Sequence, residues 1–299
     1  MPRTSVAIAI IPASQCRSNK SRSMTSQFEI IRDLGVKSDF DVAREASRRR
    51  AFLKSYLLRS GLHNLVLGIS GGVDSTTAGI LAQQSVKELR ASGFNARFIA
   101  VRLPYRAQAD APDADAALAV IDPDLTFEVD IAPATEGMWQ SLRRAGFSPA
   151  SAAQADFLRG NVKARQRMIA QYAIAGGLEG LVIGTDHAAE AVMGFFTKFG
   201  DGAADLLPLA GLTKRRVRAL ADHLGAPERL VKKVPTADLE DLAPLRPDED
   251  AYGVTYEQID DFLEGNPVEP GVADIILSRY RATAHKRALP ASPADLPDA

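Results

Sequence analysis

The chain is short of cysteine, of long apolar runs and of charge imbalance, and each shortage excludes something. Cys16 is the only cysteine, so an intrachain disulfide framework, a cysteine-ligated metal cluster and a CxxC redox pair are ruled out. The 36 basic and 37 acidic residues nearly cancel; no global nucleic-acid signature results, although a local anion site is compatible with neutrality. Residues 6–11 are too short an apolar run to span a membrane, and the serine-rich, basic stretch after them does not make a secretory signal. No membrane or nucleic-acid partner is expected, and a cytoplasmic enzyme is the plain reading. Residues 1–24 read as a disordered leader with Met24 as an alternative start, 25–290 as the folded domain and 291–299 as a flexible tail.

What the chain does have is a 46% hydrophobic composition over 299 residues, enough for a substantial core. Its organising stretch is Leu65-Val66-Leu67-Gly68-Ile69-Ser70-Gly71-Gly72-Val73-Asp74-Ser75-Thr76. A short apolar run enters a Ser-Gly-Gly turn and leaves it with helix-compatible spacing, which predicts a buried strand, a tight loop and a helix. Glycines there let backbone amides approach an anion, and the hydroxyls of Ser70, Ser75 and Thr76 add donors. No lysine precedes Ser75, so this is not the GxxxxGK[ST] phosphate loop, nor is it GxGxxG. Asp74 instead brings a carboxylate to the anion site, which makes sense if it holds a hard divalent cation. The string SGGVDS at 70–75 resembles the pyrophosphatase loop of the ATP pyrophosphatase (PP-loop) superfamily.

Periodicity predicts an amphipathic helix over 39–58, a helix over 76–89, a strand over 95–103 and a parallel β-α-β unit between them. A short helix over 110–119, a strand over 125–131, a helix over 133–147 and a clear helix over 158–175 follow. A short buried strand at 181–184 ends in Thr185-Asp186-His187-Ala188-Ala189-Glu190. Residues 195–207 have no clean period and read as a functional loop. Thr213 caps a helix that Gly225 stops; residues 232–254 read as an ordered lid or a flexible spacer; Thr255 opens a helix with a capping box; a last helix is expected over 268–281.

Two strand ends thus deliver polar chemistry. Asp74 and Glu190 suit a magnesium ion linked to phosphates. His187 reads as a structural hydrogen-bonding residue in preference to a base or ligand, and no serine or cysteine belongs to a nucleophilic triad.

The ordered series of strings extends much further. Arg102-Leu103-Pro104-Tyr105, 160–168, 184–190, 194–205, Leu212-Thr213-Lys214-Arg215, 235–241 and His285-Lys286-Arg287, together with the loop, resemble the ammonia-dependent NAD synthetase family over about residues 38–290. The resemblance implies a single Rossmann-like α/β domain, a central parallel sheet flanked by helices, of the adenine nucleotide alpha hydrolase-like type. It implies a ligase that converts deamido-NAD, ATP and ammonia into NAD, AMP and pyrophosphate with Mg2+, through a nicotinate acyl adenylate. It also implies a homodimer with substrate sites at the interface, for which the helix from Gly160 onward is the candidate.

Residue by residue, the resemblance assigns Gly68, Ser70, Gly71, Gly72, Asp74, Ser75, Arg102, Gln108, Thr185, Lys214 and Thr236 to ATP, and Asp74 and Glu190 to the metal. Phe157, Asn161, Arg165, Tyr172, Phe195, Lys198, Asp205, His285 and Lys286 fall to deamido-NAD, and Asp201, with Lys214, to the ammonia and catalytic site. The loops at 107–111 and 232–249 resemble segments that order over substrates. Two departures stand out: Arg106 where the family commonly has glycine, and Ala111 where it often has an acidic residue. A related adenylating enzyme acting on another substrate, such as a tRNA-modifying one, and a non-catalytic nucleotide sensor remain the alternatives.

Overall fold

The structure, a computed structural model, describes residues 26–106, 110–236, 241–242 and 246–295. Gln108, Cys16 and the leader lie outside these residues. In chain order the elements are α1 (Gln27–Asp33), α2 (Val42–Ser60), β1 (Asn64–Gly68), α3 (Val73–Ala91), β2 (Arg97–Arg102), α4 (Ala111–Ile121), β3 (Leu125–Glu128), α5 (Ala132–Arg144) and α6 (Ala152–Gly177). Then come β4 (Gly180–Val182), α7 (Ala188–Met193), α8 (Lys214–His223), α9 (Glu228–Val231), α10 (Asp248–Tyr252), α11 (Tyr256–Leu263), α12 (Pro270–Ala282) and α13 (Ala284–Arg287). No described helix is long and apolar enough to cross a membrane.

The strands form one parallel sheet in the order β3-β2-β1-β4. Alternation within β1 divides the core: Leu65 and Leu67 face a cluster with α2, α3 and α8, while Val66 faces a second cluster with Val101, Val182 and Ala175 of α6. Burial on both faces explains why β1 reads as an unbroken apolar run. A third cluster, built on Ile30, Val192, Phe262 and Ile276, joins α1, α7, α11 and α12 beside the sheet.

The chain steps outward from β1 to β2 and β3, then returns to the other side of β1 as β4. Strand order reverses there, and the carboxyl ends of β1 and β4 border the crevice in which open α/β sheets take ligands. The loop after β1 carries Asp74 and the segment after β4 carries Glu190, so topology brings together residues that are distant in sequence.

Several boundaries differ from expectation. The helix expected to begin at 158 starts at Ala152, capped by Ser151, whose side chain accepts from the Gln154 amide; alanines that look like loop filler are the best helix formers. The strand expected over 125–131 is assigned only to Glu128, although the Val129 and Ile131 amides still bond to Arg102 and Pro104 carbonyls at 2.9 Å. The loop at 195–207 returns to the sheet edge, where Leu206 bridges Ile183. The segment 232–254 contains α10, and α1, α7 and α9 were not anticipated. Thr213 and Thr255 cap α8 and α11 as expected.

Adjacent residues of α2 offer a test of this core. Leu57 is 0% exposed and Leu58 is 50% exposed. Leu57→Ala is expected to cost about 2–5 kcal/mol through lost burial and a residual cavity, and Leu58→Ala less than about 1 kcal/mol, read as urea unfolding free energies.

Candidate active site

The loop after β1 is built from its own short side chains. Ser70 and Ser75 hydroxyls meet at 3.2 Å, and the Gly72 amide donates to Ser70 Oγ at 3.3 Å. Gly71 has φ of +79°, and a Cβ there would lie 2.5 Å from the Ala114 amide nitrogen of α4, so only glycine fits. Gly72 caps α3 without a side-chain bond to its amides. The open N-terminus of this 19-residue helix, with its partial positive charge, is a ready anion site. Beside it a hollow is lined by Ile69, Ser70, Arg102, Leu103, Pro104 and Ala111 among others. Arg102 turns its guanidinium to Asp115 at 2.8 Å and Glu128 at 3.4 Å, not to the loop.

Arg106 adopts φ of +60°, a left-handed conformation uncommon for residues with a side chain. Its amide donates to Asp130 Oδ1 at 3.1 Å and its guanidinium sits 5.3 Å from the centre of the Tyr105 ring.

At the head of α3 the charges gather. Lys214 Nζ donates to Asp74 Oδ2 at 2.7 Å and lies 3.3 Å from His187 Nε2. That same Nε2 is 3.5 Å from Asp74 Oδ1 and 3.4 Å from Glu190 Oε1. Lys214 is 1% exposed. Its backbone and that of Arg215 donate to the Asp260 carboxylate at 2.9 and 2.6 Å, which fixes the N-terminus of α8.

The donor set fits a divalent ion. Ligating atoms of Asp74, His187 and Glu190 all lie within 4.8 Å of one another. Asp74 Oδ1 is buried without a hydrogen-bond partner among the described residues, as is His187 Nδ1. The expected role of His187 as a framework hydrogen-bonder is met only by its contact to Lys214; the imidazole otherwise stands between the two carboxylates.

Burial opposes the ionised form of Asp74, but the Lys214 ammonium and His187 outweigh it and hold the carboxyl below its ordinary value. Burial likewise opposes a charged Lys214, yet Asp74 and Glu190 keep its pKa raised. Asp186 goes the other way: burial, then Glu190, Asp201 and Asp74, push it well above the carboxylate range. Asp201 is open to solvent, yet surrounding protein and then Glu190 raise its carboxyl against the Thr197 amide that donates to it at 3.0 Å.

Residues assigned to the dinucleotide partly assemble on the other wall. Asn161 accepts from Thr197 Oγ1 at 2.7 Å, Arg165 donates to the Lys198 carbonyl at 3.2 Å, and Lys198 Nζ reaches the His285 carbonyl at 2.5 Å. Lys286 donates to the carbonyls of Gly194 and Phe196, both at 2.9 Å, and so clips α13 to the loop bearing Phe195 and Asp201. Tyr172 pairs with Asp205, whose carboxylate also accepts from the Val182 amide at 2.7 Å. Phe157 is 54% exposed on the outer end of α6 and joins none of these contacts. Thr185 follows β4, while Thr236 bridges Pro247 at the base of the segment expected to be a lid.

Sequence reasoning missed a buried tyrosine pair. Tyr256 Oη donates to Asp248 Oδ2 at 2.9 Å and is 3.1 Å from Tyr252 Oη, with its ring 5.0 Å from Lys214 Nζ. Also missed was Asp241, which accepts from Lys163 Nζ at 2.6 Å and pairs with Arg159, while its amide donates to Asp156 at 3.0 Å. Tyrosines in a helical apolar pattern carry no signal beyond core packing.

The family described as NAD synthase matches residues 45–290. The chain belongs to the NAD synthase family. An NH(3)-dependent NAD(+) synthetase of Burkholderia pseudomallei strain 1106a is 61% identical over 268 residues, 90% of this chain and 94% of that protein. The crystal structure of NAD+ synthetase from Burkholderia pseudomallei is similar at a TM-score of 0.77 and 60% identity, covering 88% of this chain and 96% of that one. The structure of NMN synthetase from Francisella tularensis is similar at a TM-score of 0.75 and 34% identity, covering 85% and 99%. Within this NAD synthase fold, the strand-order reversal, the glycine-built loop and the carboxylate pair occupy one crevice.

One buried carboxyl on its edge, Asp248, links stability to pH. Burial, against the Tyr256 hydroxyl, pushes the Asp248 carboxyl from 3.8 up to about 6. A folded pKa above the unfolded one gives stability that is complete below about pH 4 and is lost as pH rises through about 6. Asp248→Asn is expected to remove this slope, so between pH 4 and 7 the variant should gain about 2 kcal/mol relative to wild type, measured by urea titration.

Proposed function

We infer that this crevice adenylates the nicotinate carboxylate of deamido-NAD with ATP and hands the acyl adenylate to free ammonia, yielding NAD, AMP and pyrophosphate. One observation carries the reading: at the switch point of a sheet whose family is NAD synthase, an uncapped helix N-terminus adjoins Asp74, which bonds a buried ammonium at 2.7 Å and has its ligand atom within 4.8 Å of those of His187 and Glu190.

The chemistry follows from the charges. A carboxylate is a poor acyl acceptor until a leaving group is attached, and adenylation attaches one. We propose that the amides of the 70–75 loop and the head of α3 receive the ATP phosphates, and that Asp74 and Glu190 hold Mg2+, which would neutralise phosphate charge. Lys214 then faces the charge that develops on departing pyrophosphate. The hollow by Arg102 and Leu103 would take the nucleoside. On the other wall Asn161, Arg165, Lys198 and His285 would hold the dinucleotide, and Phe195 offers a ring face to the pyridine. Asp201, which accepts from the Thr197 amide, would stabilise ammonium before its deprotonation.

The first test is product analysis with ATP, Mg2+ and deamido-NAD, with and without ammonia. NAD and AMP are expected to form in equal amounts, and NAD only when ammonia is supplied; NAD formation independent of ammonia would overturn the reading. Because one similar structure is an NMN synthetase, the corresponding mononucleotide belongs in the same assay. The 61% identity to an NAD(+) synthetase favours the dinucleotide, with a higher kcat/KM expected for deamido-NAD.

We further propose a cytoplasmic homodimer, with residues 25–290 as its catalytic unit. The exposed edge strand β3, with Leu125 and Phe127, and the outer side of α5 and α6, with Met138 and Ile169, supply an apolar surface suited to a second copy. Ile169→Asp is expected to shift the protein from dimer to monomer in sedimentation and to raise KM for deamido-NAD at least tenfold; an unchanged dimer would remove this face from the interface.

A further inference from the structure

Lys214 has a flexible stem that must be aimed, and its partners are few. Its ammonium has Asp74 at 2.7 Å, His187 at 3.3 Å and the ring of Tyr256 at 5.0 Å. Asp74 is also the carboxylate that the functional reading gives to a divalent ion, so the ammonium has to share it or lose it during the reaction. What then keeps the ammonium at the head of α3 is the imidazole on one side and the aromatic face on the other.

That face is unusually well held. Tyr256 is 3% exposed at the start of α11. Its hydroxyl bonds to Asp248, its amide donates to Glu249 Oε1 at 2.7 Å, and its ring meets Tyr252 at 5.5 Å, inclined by 79°. Tyr252 in turn meets Phe195 edge to face at 4.8 Å and 86°. The Asp248 amide donates to the Pro235 carbonyl at 3.1 Å, next to Thr236. The ring therefore connects the lysine on the phosphate side with Phe195 on the dinucleotide side.

We propose that Tyr256 is a positioning residue for adenylation, its ring face holding the Lys214 ammonium toward the phosphates while Tyr252 ties that ring to Phe195. In that step the carboxylate oxygen attacks the α-phosphorus, the bond to the bridging oxygen of pyrophosphate breaks, and pyrophosphate leaves with the electron pair. Lys214 stays protonated throughout. The inference rests on the functional reading above, and it assigns work to a side chain that packing alone would explain.

The test separates ring face, hydroxyl and bulk. Tyr256→Phe keeps the face and loses the hydroxyl's contacts to Asp248 and Tyr252; Tyr256→Leu keeps apolar bulk and loses the face; Tyr256→Met serves if the leucine variant does not fold by circular dichroism. Binding of inorganic pyrophosphate in the presence of Mg2+ is measured by calorimetry, alongside kcat and KM for ATP. Tyr256→Phe is expected to stay within about threefold of wild type, and Tyr256→Leu to weaken pyrophosphate binding and lower kcat by about 3- to 30-fold, the range for a desolvated cation over a ring. In a Lys214→Gln background, Tyr256→Leu is expected to add nothing to the loss of pyrophosphate affinity. The same factor in both backgrounds, no effect of the leucine variant, or equal damage from phenylalanine would each overturn the proposal. If the wild-type protein formed no NAD from deamido-NAD, the functional reading would fail, while the pyrophosphate cycle would still decide whether Tyr256 acts through Lys214.

Discussion

Lys214 and Asp74 are 140 residues apart in sequence and 2.7 Å apart in space, and the site stands on that contact. Stripping water from an ammonium and a carboxylate is costly, and removing either partner leaves the other charge buried, typically at about 3–5 kcal/mol. The fold supplies what makes the pair tolerable. Asp260 holds the backbone that presents Lys214, the sheet reversal brings Asp74 and Glu190 to one crevice, and His187 stands between them. Carboxylates outnumber ammonium groups around this point, which suits it to exchange one cation for another.

A second organising element is α6. From successive turns it sends Asn161 to Thr197, Lys163 to Asp241, Arg167 to the Leu103 carbonyl at 3.0 Å, and Gln171 to the Gly68 amide at 2.7 Å. These contacts reach the ends of β1 and β2 and the loops on both walls of the cleft. One rigid helix thereby sets the spacing between the 70–75 loop and the wall carrying Asn161 and Lys198, a distance that the proposed in-line attack on phosphorus requires to be short.

Much of this was legible in the sequence, for identifiable reasons. The apolar run at 65–67 followed by Ser70-Gly71-Gly72 announced strand, loop and helix because burial, tight turning and anion contact each demand particular residues. Thr213 and Thr255 announced helix starts because an exposed amide needs an oxygen. Asp74 and Glu190 followed from the same chemistry at two strand ends. Less legible was whatever depends on a neighbour far along the chain: that Tyr256 lies against Lys214, that Arg102 is occupied by Asp115 and Glu128, that Asp241 docks on α6, and that residues 152–157 join the helix and do not precede it. A tyrosine, an arginine and an alanine run each have ordinary local meanings, and only three-dimensional packing chooses among them.

Gly71 shows how tightly two elements are coupled. Because its missing side chain leaves space for the amide end of α4, the curvature of the 70–75 loop and the seating of that helix are a single geometric fact. Drift in one during evolution has to be matched in the other. Efforts to reshape the loop would therefore begin by redesigning residues 110–114, whose own chemistry gives no hint that they steer it.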